Sequence, residues 1–591
     1  MVSRSEYLRR RKQREASFSE LERRDAQLSN IRFLVFFCGV VFALAASYFS
    51  SLSFGWLFLP LVAFVILVIV HERVLRRKAR VAGGVRFYER GLERLDGRWM
   101  GHGYAGEDLV PEEHPFVADL DLFGKGGLFE LLNTVRTRTG EETLAKWLCV
   151  PGDAEEIAAR QDAVKELRDE LDLREALALA GGEVRAGVRP GYLASWGVAP
   201  AVLNSVGARR MTTGLAAAAV LSFCAGAFWG FGPIPFLLAI MFEMAFARVY
   251  RDRVKRVLAS IAEPERELRV LVSALQLFEG RKFRSEKLIA LQGRFARGEG
   301  LASEHVERLE RLLTWLDAMR NQLFAPIAFV LLWPIHFAYF LEQWRKEHGP
   351  DIGVWLEALG EIEALCALSA YAYENSDDPF PVVLEDETVY RARGLGHPLI
   401  AGERCIRNDV SLDASTAVLM VSGSNMSGKS TLLRTVGVNA VLAYAGAPVR
   451  AEALELSLFS LGASIRVLDS IQSGESRFYS EILRLHKIME LTDGERPVLF
   501  LLDEILHGTN SHDRGIGAAA LLKGLVDRGA VGLVTTHDLA LTDFAEDSKA
   551  VNVHFEDHLE GDALVFDYLL KPGVVQKSNA LALMRAIGLK V

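Results

Sequence analysis

Nine consecutive residues carry the strongest chemical signal in the chain. Gly423, Ser424, Asn425, Met426, Ser427, Gly428, Lys429, Ser430 and Thr431 fit the pattern G-x-x-x-x-G-K-[ST]. The apolar run 418–421 (VLMV) precedes them, and a helix-forming stretch from Leu432 follows, which is the strand–loop–helix setting the pattern requires. Glycines let backbone N–H groups face phosphate oxygens, and the start of a helix adds a positive dipole. Such a loop predicts binding of ATP with Mg2+. Lys429 would neutralise charge on the β- and γ-phosphates, and the Ser430 hydroxyl would ligate the metal.

Three further stretches supply partners for that loop. Residues 498–502 (VLFLL) read as a buried parallel strand ending in Asp503 and Glu504, at the sheet edge where ligands bind in such folds. Asp503 is placed to hold the Mg2+ shell, and Glu504 to orient or deprotonate an attacking water. Residues 531–536 (VGLVTT) read as another strand, ending at His537, which could sense the γ-phosphate or be satisfied by the backbone alone. Between the glycine loop and the strand 498–502, Ser473-Gly474-Glu475-Ser476-Arg477 opens a helix. Ser476 there offers a hydroxyl and free N–H groups to an anion, or is an ordinary cap.

Holding these groups together requires a mainly parallel sheet flanked by helices, so 385–591 is expected to be an α/β P-loop ATPase domain. The region 121–375 reads as helical. Apolar runs long enough to matter for a bilayer interrupt the charged sequence both before this region and inside it. Residues 33–50 and 54–70 carry no charge, and each approaches the length needed to cross a ~30 Å hydrocarbon core. Basic clusters flank this pair, from Arg4 to Arg14 before it and from Arg73 to Arg80 after it. By the positive-inside rule, both ends of the hairpin lie in the cytoplasm. A second pair, 213–230 and 231–247, turns at Gly232, Pro233 and Pro235 and carries Glu243 inside its second run. A third run, 323–341, contains Pro326, Pro334 and His336. A single crossing there would put the ATP site outside the cell, so it is expected to be a buried or interfacial helix.

The expected organisation is a basic tail over 1–30, a transmembrane hairpin over 31–72 and a linker over 73–120. The helical domain follows over 121–375, with its own hairpin at about 213–247, and the ATPase domain over 385–591. The composition agrees with a mixed protein. Of 591 residues, 50% are hydrophobic and 24% are charged, so neither a disordered chain nor a bare membrane bundle fits. Five cysteines stand far apart with no CxxC pair, which argues against a disulfide framework and against a cysteine zinc site. Net charge is −8, so any contact with nucleic acid needs a local basic face.

The stretch 420–540 resembles the ATPase domain of the MutS family, a branch of the ABC-type ATPases. The residues that carry the resemblance are GSNMSGKSTLLRTVGVNAVLAYAGAPVRAE (423–452), SGESRFYSEI (473–482), LLDEILHGTNSHDR (501–514) and TTHD (535–538). The likeness extends upstream to 128–180, to a lever helix over 355–374 containing Glu361 and Glu363, and downstream to 566–589. It implies a homodimer in which Ser476 touches the γ-phosphate held by the other subunit and 508–513 form a loop across the interface. It also implies DNA, mismatched or branched, as a partner. Residues 1–120 are expected to leave no room for the family's mismatch-reading domain. The resulting expectation is a multi-pass protein of the cytoplasmic membrane, with a dimeric ATPase in the cytoplasm coupled to DNA. A rival is a membrane mechanochemical ATPase that acts on protein or envelope partners without DNA.

Overall fold

The computed structural model describes residues 2–49, 54–111, 113–180, 191–261, 265–296, 300–318, 325–424, 426–466, 477–506, 510–537, 549–560 and 563–575. The chain divides into two compact units, 1–100 with 172–182, and 101–171 with 183–591.

The first unit is built on two long helices, Val2–Tyr48 and Phe58–Leu95. Contacts between Tyr7 and Gly91, Asp25 and His71, and Phe36 and Phe64 set them antiparallel. The stretch read as a basic tail is thus helical, and so is the first half of the stretch read as a linker. Charge spacing explains the former: Glu6 pairs with Arg9 and Arg10, and Glu20 with Arg24, all at i,i+3 or i,i+4. Packing explains the latter, because Tyr88 and Leu92 are buried. The Tyr88 hydroxyl donates to Glu175 at 2.6 Å, and Arg14 pairs with the same carboxylate at 2.8 Å. Beyond these polar clamps the surface turns apolar. Phe33, Phe36, Phe37 and Leu44 on one helix and Phe58, Leu59, Leu61 and Ile66 on the other are exposed.

By length and composition, Val2–Tyr48, Gly55–Leu95 and Val206–Trp229 are long and apolar enough to cross a membrane. The second of the pair at 213–247 differs from its neighbour. Its helix, Ile234–Ser260, ends in a half where Arg248, Arg251, Arg253, Lys255 and Arg256 are all exposed. The third apolar run is not one helix. Ala325–Val330 stops and Trp333–Glu374 begins across Leu332, whose φ is 45°. Pro334, in the first turn of the new helix, suits a helix start and not a helix interior.

In the second unit, helices precede sheets. The 42-residue helix Trp333–Glu374 is the spine of the helical part. Its buried Glu363 accepts the backbone N–H groups of Arg136 and Thr137 and the Thr137 hydroxyl. Thr137 in turn caps helix Arg138–Cys149 by accepting from Gly140. Glu361, also on the long helix, pairs with Lys287 at 2.6 Å and Arg294 at 2.7 Å.

Among the described residues ten strands follow: β1 Val382–Leu384, β2 Tyr390–Leu395, β3 Asn408–Leu412, β4 Val418–Ser422, β5 Ala453–Ser457, β6 Ser460–Ser464, β7 Val498–Asp503, β8 Val531–Thr536, β9 Ala550–Glu560 and β10 Ala563–Pro572. The larger sheet has the order β10-β9-β4-β8-β7-β6, parallel except for the β9–β10 pair. The smaller sheet, β1-β5-β2-β3, is antiparallel at β2 and corrects the expectation of one mainly parallel sheet. Its sequence explains this, because Tyr390 and Ala392 are buried while Arg391 and Arg393 face water, the alternation of a sheet covered on one side.

The helical part is fastened to the α/β part through polar contacts. Gln161 donates to the Pro381 carbonyl at 3.0 Å. Asp119, 1% exposed, accepts from the N–H groups of Ile465 and Arg466 and from Arg484 at 2.7–2.8 Å. Burial pushes the Asp119 carboxyl up, against the pull of those donors and of Arg434. Removing it strands buried donors and an arginine, so Asp119→Ala is expected to lower stability by about 3 kcal/mol. Urea unfolding checks this; a loss under about 0.5 kcal/mol, the usual range for a surface substitution, would show the cluster to be dispensable.

Candidate functional site

The larger sheet brings the predicted residues to one edge. All of β4 is buried, and the chain leaves it at Gly423, turns, and enters helix Lys429–Ala445. Two glycines make that turn possible. Gly423 has φ 149°, and a Cβ there would lie 2.8 Å from Ser427 Oγ. Gly428, the residue before the helix, has φ 103°, and a Cβ would meet the Tyr568 ring at 3.2 Å. Neither position suits a larger residue. The hydroxyls of Ser424 and Ser427 are buried and have no hydrogen-bond partner among the described residues. Buried hydroxyls are seldom left so, and a phosphate oxygen is a fitting acceptor.

Lys429 is 5% exposed, and two of its three ammonium protons go to the Gly423 and Ser424 carbonyls at 2.8 and 3.0 Å. Its nitrogen also lies 3.5 Å from a Glu504 oxygen. The same oxygen lies 3.5 Å from His537 Nδ1. The loop lysine, the β7 carboxylate and the β8 histidine thus form one polar row. It sits beside a cavity of about 730 Å3 whose lining includes Ser424, Met426, Gly428, Lys429, Ser430, Thr431, Asp503 and Glu504. That volume suits a ligand of nucleotide size. Ser430 and Asp503 supply a hydroxyl and a carboxylate oxygen to the same space, a hard donor set that fits Mg2+. Asn425, Ser476, Gly508 and Thr509 lie outside the described residues.

The lining residues that were not foreseen include Tyr568, Asn408, Ile406 and His397. Tyr568 reaches the cavity because β10 carries a register shift against β9 between Phe566 and Leu570. Asn408 of β3 pins that irregularity, donating to the Tyr568 carbonyl at 3.0 Å and accepting from Leu570 N–H at 2.7 Å. Bulges commonly re-aim a side chain in this way. Ile406 adds an apolar wall. His397, 8% exposed, accepts from Leu399 N–H, and burial, with Arg434 nearby, brings its pKa down to about 4. It is therefore a neutral lining group at physiological pH. Such wall residues come from three separate strands and connections, so no local spacing announces them.

A helical region followed by mixed α/β sheets, with the glycine loop after β4 and the carboxylates at the end of β7, one strand away across β8, is the build of a MutS-type ATPase domain. Comparisons with known proteins agree. Residues 419–590 match the family model of MutS domain V, and residues 117–182 that of MutS domain III. The chain therefore carries two domains of the MutS family. It is 32% identical over 240 residues to a DNA mismatch repair protein MutS from Natronomonas pharaonis, covering 39% of this chain and 27% of that protein. It is 34% identical over 250 residues to an Endonuclease MutS2 from Thermus thermophilus, covering 42% and 32%. A longer alignment, to a DNA mismatch repair protein MutS from Methanosarcina acetivorans, is 27% identical over 523 residues and covers 78% and 56%. The chain thus spans between about a quarter and just over half of these relatives' lengths.

Proposed function

We propose that this protein is a membrane-anchored, dimeric ATP hydrolase that couples nucleotide turnover to DNA binding. The observation that carries the ATPase reading is the convergence of Lys429, Ser430, Asp503 and Glu504 on one cavity. Lys429 and the loop N–H groups would hold the triphosphate, and the base would lie against Ile406 and Tyr568. Ser430 and Asp503 would hold Mg2+, which when bound neutralises phosphate charge. Glu504 would take a proton from water as the water oxygen bonds to the γ-phosphorus and the bond to the β–γ bridging oxygen breaks, giving ADP and phosphate. His537, next to Glu504, would donate to a γ-phosphate oxygen.

Three further parts of the reading have separate support. The dimer, with Ser476 acting on the partner's nucleotide, rests on the likeness to the family. The DNA partner rests on relatives named for mismatch repair. Filter binding of mismatched and branched duplexes at graded salt tests it: phosphate contacts give a steep fall of log affinity with log salt. ATP turnover without salt-dependent DNA binding would instead favour protein or envelope partners.

Membrane anchoring rests on the uncharged runs 33–50 and 54–70, the exposed apolar side chains along them, and the arginines that flank them. Both hairpins are expected to return to the cytoplasm. Cysteines introduced near residues 100 and 350 should therefore resist an impermeant thiol reagent in intact cells and react in inverted vesicles. Labelling near residue 350 from outside would reverse the orientation of everything after it.

A further inference from the structure

Thr535 occupies the point where β7 and β8 deliver the two carboxylates. The strands run parallel, with Asp503 directly opposite Thr535. Thr535 is 1% exposed. Its hydroxyl donates to Asp503 Oδ1 and accepts the Glu504 N–H at 3.0 Å. The same N–H also reaches the Thr535 carbonyl at 3.2 Å. One hydroxyl thus ties the side chain of residue 503 to the backbone of residue 504, using its proton in one direction and a lone pair in the other.

Glu504 needs such a tie. Its φ is 47°, a region that side-chain-bearing residues adopt only when the surroundings impose it. The next strand imposes it here, through the hydroxyl and the carbonyl oxygen of Thr535. The β-branch matters as well, because a strand threonine has few χ1 options and its hydroxyl does not swing away.

We propose that Thr535 is a positioning residue for the hydrolytic site: its hydroxyl fixes the placement of Asp503 and Glu504 relative to each other. The inference rests on the ATP-hydrolase reading. It assigns no contact with nucleotide to Thr535, so the residue should influence metal affinity and turnover but not nucleotide capture.

The test compares the full-length wild type with Thr535→Val, Thr535→Ala and Thr535→Ser in detergent. Three readouts are ATP affinity in EDTA, Mn2+ affinity of the ATP-bound protein by electron paramagnetic resonance, and kcat. Valine keeps the shape and removes both hydrogen bonds; alanine serves where valine fails to fold. Either is expected to leave ATP affinity in EDTA within about twofold and to lower Mn2+ affinity, kcat or both by about 10–100-fold, the usual cost of losing an outer partner of a metal site. Serine should restore most of the loss. Wild-type Mn2+ affinity and kcat in the valine or alanine variant would overturn the proposal while leaving the ATPase reading intact. So would an equal loss of ATP affinity in EDTA, which would mark general distortion. A wild-type protein that binds no ATP would overturn the ATPase reading itself.

Discussion

Glu504→Gln is expected to bind ATP and to hydrolyse it at least ~10²-fold more slowly than the wild type, the scale of losing a positioned base. Glutamine has the shape of glutamate but cannot accept a proton from water. The substitution also removes the anion that lies 3.5 Å from Lys429 and from His537. Lys429 then faces the cavity without a competing carboxylate, so nucleotide should be held at least as tightly as before. Single-turnover hydrolysis measured together with equilibrium ATP binding separates the two effects. Wild-type turnover in this variant would mean that another residue directs the water.

Lys429→Ala should act at the earlier step. The ammonium is almost fully buried and is oriented by the Gly423 and Ser424 carbonyls. Removing a buried, oriented charge from its counter-charge costs about 3–5 kcal/mol, which is more than ~10²-fold in Kd. Since Lys429 belongs to the second unit and the helices Val2–Tyr48 and Phe58–Leu95 to the first, recovery in the membrane fraction should not change. Titration of purified protein with a fluorescent ATP analogue decides it. Unaltered affinity would remove the glycine loop from the nucleotide site altogether.

The parts of the site that the sequence made legible are those built from contiguous residues. The glycine loop depends on φ values that glycine alone supplies readily, and it sits between a wholly apolar strand and a helix, so each neighbour confirms the other. Asp503 and Glu504 stand out because they end five apolar residues, where a buried strand must reach water. Tyr568 and Asn408 were not legible, because their role depends on a register shift and on a contact across 160 residues of chain. The small sheet was missed for a related reason: strands of three to six residues carry too few alternations to rise above their surroundings. The helix that runs on through 73–95 was hidden by its composition. Its basic residues read as a linker, whereas the few buried positions, Tyr88 and Leu92 among them, decide its packing.

The 42 residues of helix Trp333–Glu374 have a consequence in plain geometry. At 1.5 Å per residue the helix is about 63 Å long, so a rotation of about 5° around one end displaces the other by about 5 Å. Its C-terminal end runs into Asp378, whose carboxylate is held by Arg450 at 3.2 Å on the connection between helix Lys429–Ala445 and β5. Near its other end, Phe340 lies under the Arg209 guanidinium of helix Val206–Trp229. A turn of the helix about its Asp378 end would therefore be a shift of several ångströms beside a helix long and apolar enough to cross a membrane. Pro350, inside the helix, takes one hydrogen bond out of the rod and marks where it would bend first.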